Sequence, residues 1–272
     1  MMKNCEEEEP DIPYLPFAEV ENQYPNDADL PCVSINVPCY LRRKFIPLML
    51  SNIIGFDYPA EKIEVCILQD GPQDLFESPE QKRAFESIIA PRILNYVYEK
   101  DIRRTIGEKR NKLVKMSKHK IIASMDSDDI YFTNYLKHSV NALKQYKVGI
   151  TTSAAMLFTY PHDNFRMSGI RCGHKEQGHE ACCVFTKKHF NSMGGFRSKG
   201  PEACQGEGAK MISGGENRMI NLDIKELMCC VGHLGVEGNS IDKEQFRTKT
   251  VPGSISKDSK QMRVLRIIFG ID

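Results

Sequence analysis

Tryptophan is absent from this 272-residue chain, and so is any apolar run approaching the roughly 20 residues that a membrane-spanning helix needs. The first absence excludes nothing, because ordinary globular proteins often do without tryptophan. The second argues against a membrane span. The N-terminus, MMKNCEEEEP, also lacks the basic-then-apolar order of a secretory leader, so a cytoplasmic protein is expected. Internal repeats are missing, as is the paired C-x-x-C spacing of a structural zinc site. Cys172, His174, His179, Cys182 and Cys183 crowd together without that spacing, and Cys182 and Cys183 are expected on opposite faces of a strand. Of the ten cysteines, Cys32, Cys66, Cys229 and Cys230 fall in apparent buried strands. A free thiol there serves as a small apolar side chain, so reduced cysteines are expected rather than a disulfide framework.

What is present suits one large α/β domain with a full core: 41% hydrophobic and 27% charged residues. The net charge of +1 hides an asymmetry. Of 37 basic and 36 acidic residues, residues 1–31 hold one base and nine acids, which leaves 36 bases and 27 acids downstream. A basic body suits a polyanionic ligand such as a nucleotide diphosphate, and equally a solvated basic face. No motif points to nucleic acid.

Residues 1–30 are acidic and punctuated by proline, and read as a tail, either laid over the domain or disordered. The domain is expected over 31–256. Within it short β-rich runs alternate with helical patterns. CVSINV is followed by a helix with Phe45, Leu48, Met49 and Ile53 on one face, then by the strand IEVCIL. A helix over Ser78–Ile89, the strand ILNYVY, a helix over Lys109–Met116, the strand KIIASM and a helix from Thr133 continue the alternation. Such interleaving implies a mostly parallel sheet whose ligands bind beyond the carboxyl ends of its strands. Past Lys147 the pattern loosens, with a strand ACCVFT, a helix over Lys187–Met193 and a glycine-rich stretch from Gly194 to Gly215. Residues 257–272 read as an amphipathic helix, able to rest on an anionic membrane or, preferably, to pack on the domain or a second subunit.

Asp126, Ser127, Asp128 and Asp129 follow an apolar strand and precede a helix. Carboxylates one residue apart at a strand end can share a cleft, where a hard divalent cation would bridge them to a diphosphate. An Asx turn with a helix N-cap would account for one or two of the acids, Asp129 being the natural cap. Asp70-Gly71 ends another apolar strand; it is either an Asp-Gly turn or an acceptor for a nucleobase. Gly107 to Asn111, GEKRN, opens a helix, whose N-terminus beside basic groups is a natural anion site, though Arg110 and Asn111 could equally be solvated.

Order and spacing add what the single motifs lack. VSINVPCY, LQDGPQD, GEKRN, SMDSDD and GHEACCVFTKKHFNSMGGF resemble, in succession, the motifs of family 2 glycosyltransferases with the GT-A fold, over roughly residues 31 to 235. The resemblance implies an α/β GT-A architecture, a central mostly parallel sheet flanked by helices. It implies transfer of a sugar from a nucleotide sugar, expected to be a UDP-sugar, to a hydroxyl acceptor with inversion, assisted by Mn²⁺ or Mg²⁺. By the same resemblance Pro38 and Tyr40 flank the base, Asp70 bonds it, Arg110 and Asn111 hold the nucleotide, Asp126 meets the ribose or sugar, and Asp128 is the principal metal ligand. His233 is similar to a late histidine that completes the metal shell in some relatives; a lone histidine at a strand end is also commonly structural. The family's acceptor base follows the GGF turn, commonly within a Glu-Asp pair. Here the counterpart is Glu207, followed by Gly208 where the acid is usual, with Glu202 and Glu180 as further carboxylates. That departure leaves a non-catalytic nucleotide-sugar-binding protein as the rival. A sugar nucleotidyltransferase is disfavoured, because no glycine-rich N-terminal phosphate loop is present.

Overall fold

A computed structural model describes residues 16–171, 178–203, 206–213, 219–233, 242–249 and 260–271. Cys172 and His174 lie outside the described residues.

The elements follow in the order β1 (Val33–Tyr40), α1 (Ile46–Gly55), β2 (Ile63–Gly71), α2 (Pro79–Ile89), β3 (Ile93–Lys100), α3 (Ile106–Met116), β4 (Ile121–Ser124), β5 (Ile130–Tyr131) and α4 (Tyr135–Tyr146). Then come β6 (Ile150–Thr152), β7 (Ala155–Tyr160), β8 (Arg166–Arg171), β9 (Val184–Thr186), α5 (Lys187–Met193), α6 (Ala209–Ser213), β10 (Ile220–Asn221), α7 (Ile224–Leu227), β11 (Met228–Val231) and α8 (Lys260–Phe269). A seven-stranded sheet runs β10-β6-β9-β4-β1-β2-β3. It is parallel except where β9 lies antiparallel between β4 and β6. A second sheet, β5-β11-β7-β8, stands beside it. This is the expected mixed α/β architecture, a mostly parallel sheet flanked by helices.

Burial explains which strands are central. All nine residues of β2 and seven of eight in β1 are buried, as a strand covered on both faces requires. β3 is half-exposed along its length and forms the edge. Register then aligns the ligand end: Tyr40 pairs with Asp70, and Asn36 with Ser124, so the β1, β2 and β4 ends open on the same side.

The helix starts carry their own signals. Ser78 caps α2, its hydroxyl accepting from the Gln81 amide at 3.2 Å ahead of Pro79. Thr105 and Glu108 form a reciprocal capping box on α3, so that helix begins three residues before the expected Lys109. Gly194, at φ 77°, ends α5 in the left-handed conformation glycine tolerates.

Three expectations are corrected. Asp129 is no helix cap: β5 intervenes, and α4 starts only after Asn134. The strand expected at ACCVFT begins at Val184, because Glu180–Cys182 forms a 3₁₀ turn. Cys182 and Cys183 are both buried there, their thiols donating to the His179 carbonyl. Cys32 lies exposed ahead of β1 rather than inside it. The described cysteines are all free.

Residues 16–30 lie along the domain. Glu21 donates its amide to Gln145, and Gln145 and Tyr146 donate to the Glu19 carbonyl. α8 packs on α1 and buries Met262 and Leu265, with Phe269 6.1 Å edge-on to Phe45. Among the described residues no helix is long and apolar enough to cross a membrane.

Candidate active site

A cleft of about 490 Å³ opens at the carboxyl ends of β1 and β4. Its wall includes Pro38, Tyr40, Asp126, Asp128, Arg110 and Glu207 from the sequence expectations. It also includes Arg42, Arg103, Arg104, Lys109 and Lys243. Six cationic side chains thus share the cleft with four carboxylates, counting Asp129, while Asp70 and Glu99 outside its wall pair with Lys109, Arg103 and Arg104.

The aspartate loop is shaped by buried partners. The Tyr131 hydroxyl accepts from the Asp126 amide at 2.7 Å and donates to the Ala181 carbonyl at 2.8 Å. Asn52 of α1 donates to the Asp129 carbonyl at 2.8 Å and accepts from the Tyr131 amide at 3.1 Å. Asp128 Oδ2 meets Arg42 Nε at 3.1 Å and His233 Nε2 at 3.0 Å. Burial would raise the Asp128 carboxyl, yet Arg42 and then His233 and Lys243 outweigh it and hold the group well below the usual carboxylate range. Asp129 moves the other way, raised by burial and by Asp128 and Asp126 despite Lys243. Its Oδ1 accepts from Lys243 Nζ at 2.7 Å and from the Val231 amide at 2.8 Å. Asp129 therefore ties β11 and the Lys243 turn to the loop.

His233 stands behind the cleft wall. Its side chain has no exposure, and its ring lies 5.1 Å from Phe45 and 6.2 Å from Phe269. Expected to complete the metal shell, the imidazole stands 3.0 Å from Asp128 Oδ2, where it can orient that carboxylate from behind. Among the described residues no three His, Cys, Asp or Glu side chains gather as a metal cage. The donor chemistry still fits Mn²⁺ or Mg²⁺, which can be held by one or two carboxylates with the remaining positions left to water and phosphate oxygens. Asp128 would supply such an oxygen, backed by an imidazole that Mn²⁺ also accepts.

Asp70 and Asn111 differ from expectation. Asp70 is fully buried, absent from the cleft wall, and holds the segment after β3: Lys109 Nζ reaches its Oδ1 at 2.6 Å, and the Arg104 amide its Oδ2 at 2.7 Å. Arg103 adds a 3.6 Å ion pair and stacks 3.5 Å above the Tyr40 ring. The Cδ2–Cε2 edge of that ring abuts Gly71, where a Cβ would come within 2.6 Å. Asn111 points away from the cleft, because its amide group is spent on Phe196, donating to the carbonyl at 2.8 Å and accepting from the amide at 2.9 Å. It anchors the Gly194-Gly195-Phe196 turn.

That turn carries the far wall. Arg110 Nη2 donates to Asp126 at 3.0 Å and Nε to Glu207 at 2.9 Å. The Arg197 amide donates to the Glu207 carbonyl at 2.9 Å. Glu202 lies exposed and paired with Arg197 at 2.9 Å. His179 lines the cleft, and burial lowers its imidazole to about 4, so it is neutral at physiological pH.

Lys109 was legible inside GEKRN, and Arg42 adjoins the PCY motif. Lys243 gave no signal, since it reaches Asp129 across 114 positions.

The profile of glycosyl transferase family 2 matches residues 34–199. No curated protein matches the chain in sequence. Among solved structures, the chain is similar to the mannosyltransferase PcManGT from Pyrobaculum calidifontis in complex with GDP-Man and Mn²⁺. The two share 22% identity at a TM-score of 0.58, over 79% of this chain and 60% of that one. It is also similar to S. aureus TarS 1-349 in complex with UDP-GlcNAc, at 14% identity and a TM-score of 0.59, over 87% of this chain and 65% of that one. The chain thus spans less than two thirds of the length of either. The profile covers more than half of the sequence and these neighbours share its GT-A architecture, so the chain belongs to glycosyl transferase family 2.

Proposed function

We propose that the protein transfers a sugar from a nucleotide sugar to a hydroxyl acceptor, with inversion. The observation that carries this is the cleft itself: Asp126 and Asp128, just past the end of β4, line one space with Arg42, Arg103, Arg104 and Lys109, sized for a small ligand. A UDP-sugar is the favoured donor, and the solved neighbours in complex with GDP-Man and UDP-GlcNAc make both nucleotides worth testing. Asp128 would hold Mn²⁺ or Mg²⁺, oriented by His233. Bound there, the ion would neutralise charge on the departing diphosphate. Arg42, Arg110 and the basic segment 103–109 bind and orient the diphosphate, supplying fixed positive charge where negative charge develops. Glu207 or its neighbour Glu180 takes the acceptor proton.

The test is a thermal-shift panel of UDP- and GDP-sugars with and without Mn²⁺, followed by nucleoside diphosphate release on the hits. Metal-dependent stabilisation with turnover is the expected result. Stabilisation without turnover of any donor would support the non-catalytic rival, which Gly208 at the usual acid position favours. A panel with no binding at all would sink both.

A further inference from the structure

Glu207 is already committed. Its Oε1 accepts from Arg110 Nε at 2.9 Å, and the same guanidinium donates to Asp126. The Glu207 and Arg110 side chains are only 6% and 5% exposed. The Oε1 that would take a proton is therefore occupied by the guanidinium. A better proton acceptor stands beside it. Glu180 opens the 3₁₀ turn that precedes β9, and its side chain fills the space over Gly208: a Cβ at 208 would sit 2.5 Å from Glu180 Cγ. A carboxylate from position 180 therefore occupies the volume that a side chain from position 208 would claim. Glu180 itself is partly exposed, behind the stretch of cleft wall that His179 and Glu207 form.

The local electrostatics suit proton transfer. Burial and then the charge of Glu207 push the Glu180 carboxyl up to about 7, against Arg110 and the backbone amides of Glu180 and Gly208. A base whose pKa lies near the working pH combines availability with basicity. Resting on the glycosyltransfer reading, the geometry points to Glu180 as the general base for the acceptor, with Glu207 a positioning residue fixed by Arg110. The acceptor O–H proton passes to a Glu180 carboxylate oxygen as the acceptor oxygen forms a bond to the anomeric carbon. The bond from that carbon to the phosphate oxygen breaks, and its electron pair leaves with the nucleoside diphosphate. Glu180 then returns the proton to solvent.

The experiment uses the full chain with water as acceptor and UDP-GlcNAc, UDP-glucose and GDP-mannose as donors, with MnCl₂, reading nucleoside diphosphate release. Glu180→Gln should lower kcat on the order of a hundredfold while leaving the donor KM within about threefold and the thermal midpoint unchanged. In the wild type kcat/KM should rise with pH through about 7; this limb should vanish in Glu180→Gln and persist in Glu207→Gln on reduced activity, moved to lower pH because the like charge beside Glu180 is gone. The double variant Glu180→Ala with Gly208→Asp places a carboxylate in the same space by the other route, and should recover at least a tenth of the lost rate. Full activity in Glu180→Gln, or loss of the pH limb in Glu207→Gln alone, would overturn the assignment of Glu180 and leave the glycosyltransfer reading standing. No release from any donor by the wild type would sink both.

Discussion

Arg110 and Glu207, 97 positions apart, form a buried ion pair at 2.9 Å, and the second arm of the guanidinium reaches Asp126. One side chain thus joins the aspartate loop to the acceptor-side turn. Lysine offers a single ammonium and cannot reproduce this fork. Arg110→Ala should destabilise the fold by about 3–5 kcal/mol, because the buried Glu207 carboxylate and the part-exposed Asp126 both lose their counter-charge; urea denaturation reads this directly.

The Asp128 site predicts a metal phenotype. Asp128→Asn should abolish the Mn²⁺-dependent thermal shift with a nucleotide sugar and cut diphosphate release on the order of a hundredfold, with the circular dichroism spectrum unchanged. His233→Ala should be milder, weakening Mn²⁺ by roughly 10–100-fold, as expected of a group that orients a ligand. An Asp128→Asn protein that keeps its metal response would show that the cation sits elsewhere.

Asn111 separates two roles. A residue that grips the nucleotide would raise the donor KM when replaced. The double hydrogen bond to Phe196 predicts instead that Asn111→Ala costs about 1–3 kcal/mol of stability and leaves the donor KM within about threefold.

Gly107 reverses an ordinary rule. In an exposed helix, glycine to alanine stabilises by about 1 kcal/mol. Here a Cβ would fall 1.7 Å from the Arg197 carbonyl oxygen, so the α3 start and the segment bearing Glu207 would be forced apart. Gly107→Ala should lower the thermal midpoint and the turnover together; a rise in the midpoint would contradict the contact.

Glu99 gives a pH dependence outside the cleft. Its hydrogen bond from Arg104 chiefly, against burial and with help from Lys112, lowers the carboxyl to about 2. A depressed carboxylate contributes stability at neutral pH that is lost as pH falls from about 4.3 towards 2. The partners are partly open to solvent, so the contribution is set at about 1 kcal/mol. Glu99→Gln should remove that share and flatten the stability profile between those limits.

The sequence by itself determined the strand–helix alternation, because buried runs such as VSINVPCY and IEVCILQDG can be satisfied only as strands covered on both faces. It also marked the cleft from one side: Pro38, Tyr40, Arg110, Asp126 and Asp128 are local motifs at strand ends and a helix start, where backbone geometry alone aims residues at a ligand. Tertiary structure decided which polar groups remain for the ligand. Asp70 and Asn111 look like binding residues in the chain, yet packing spends them on Lys109 and Phe196. Asp129 looks like a cap, yet Lys243 and Val231 claim it. The aspartate loop was legible because its acids are neighbours in sequence. Their counter-charges, Arg42 and Lys243, lie 86 and 114 positions from the acids they meet, and a pairing over that separation exists only once the chain has folded.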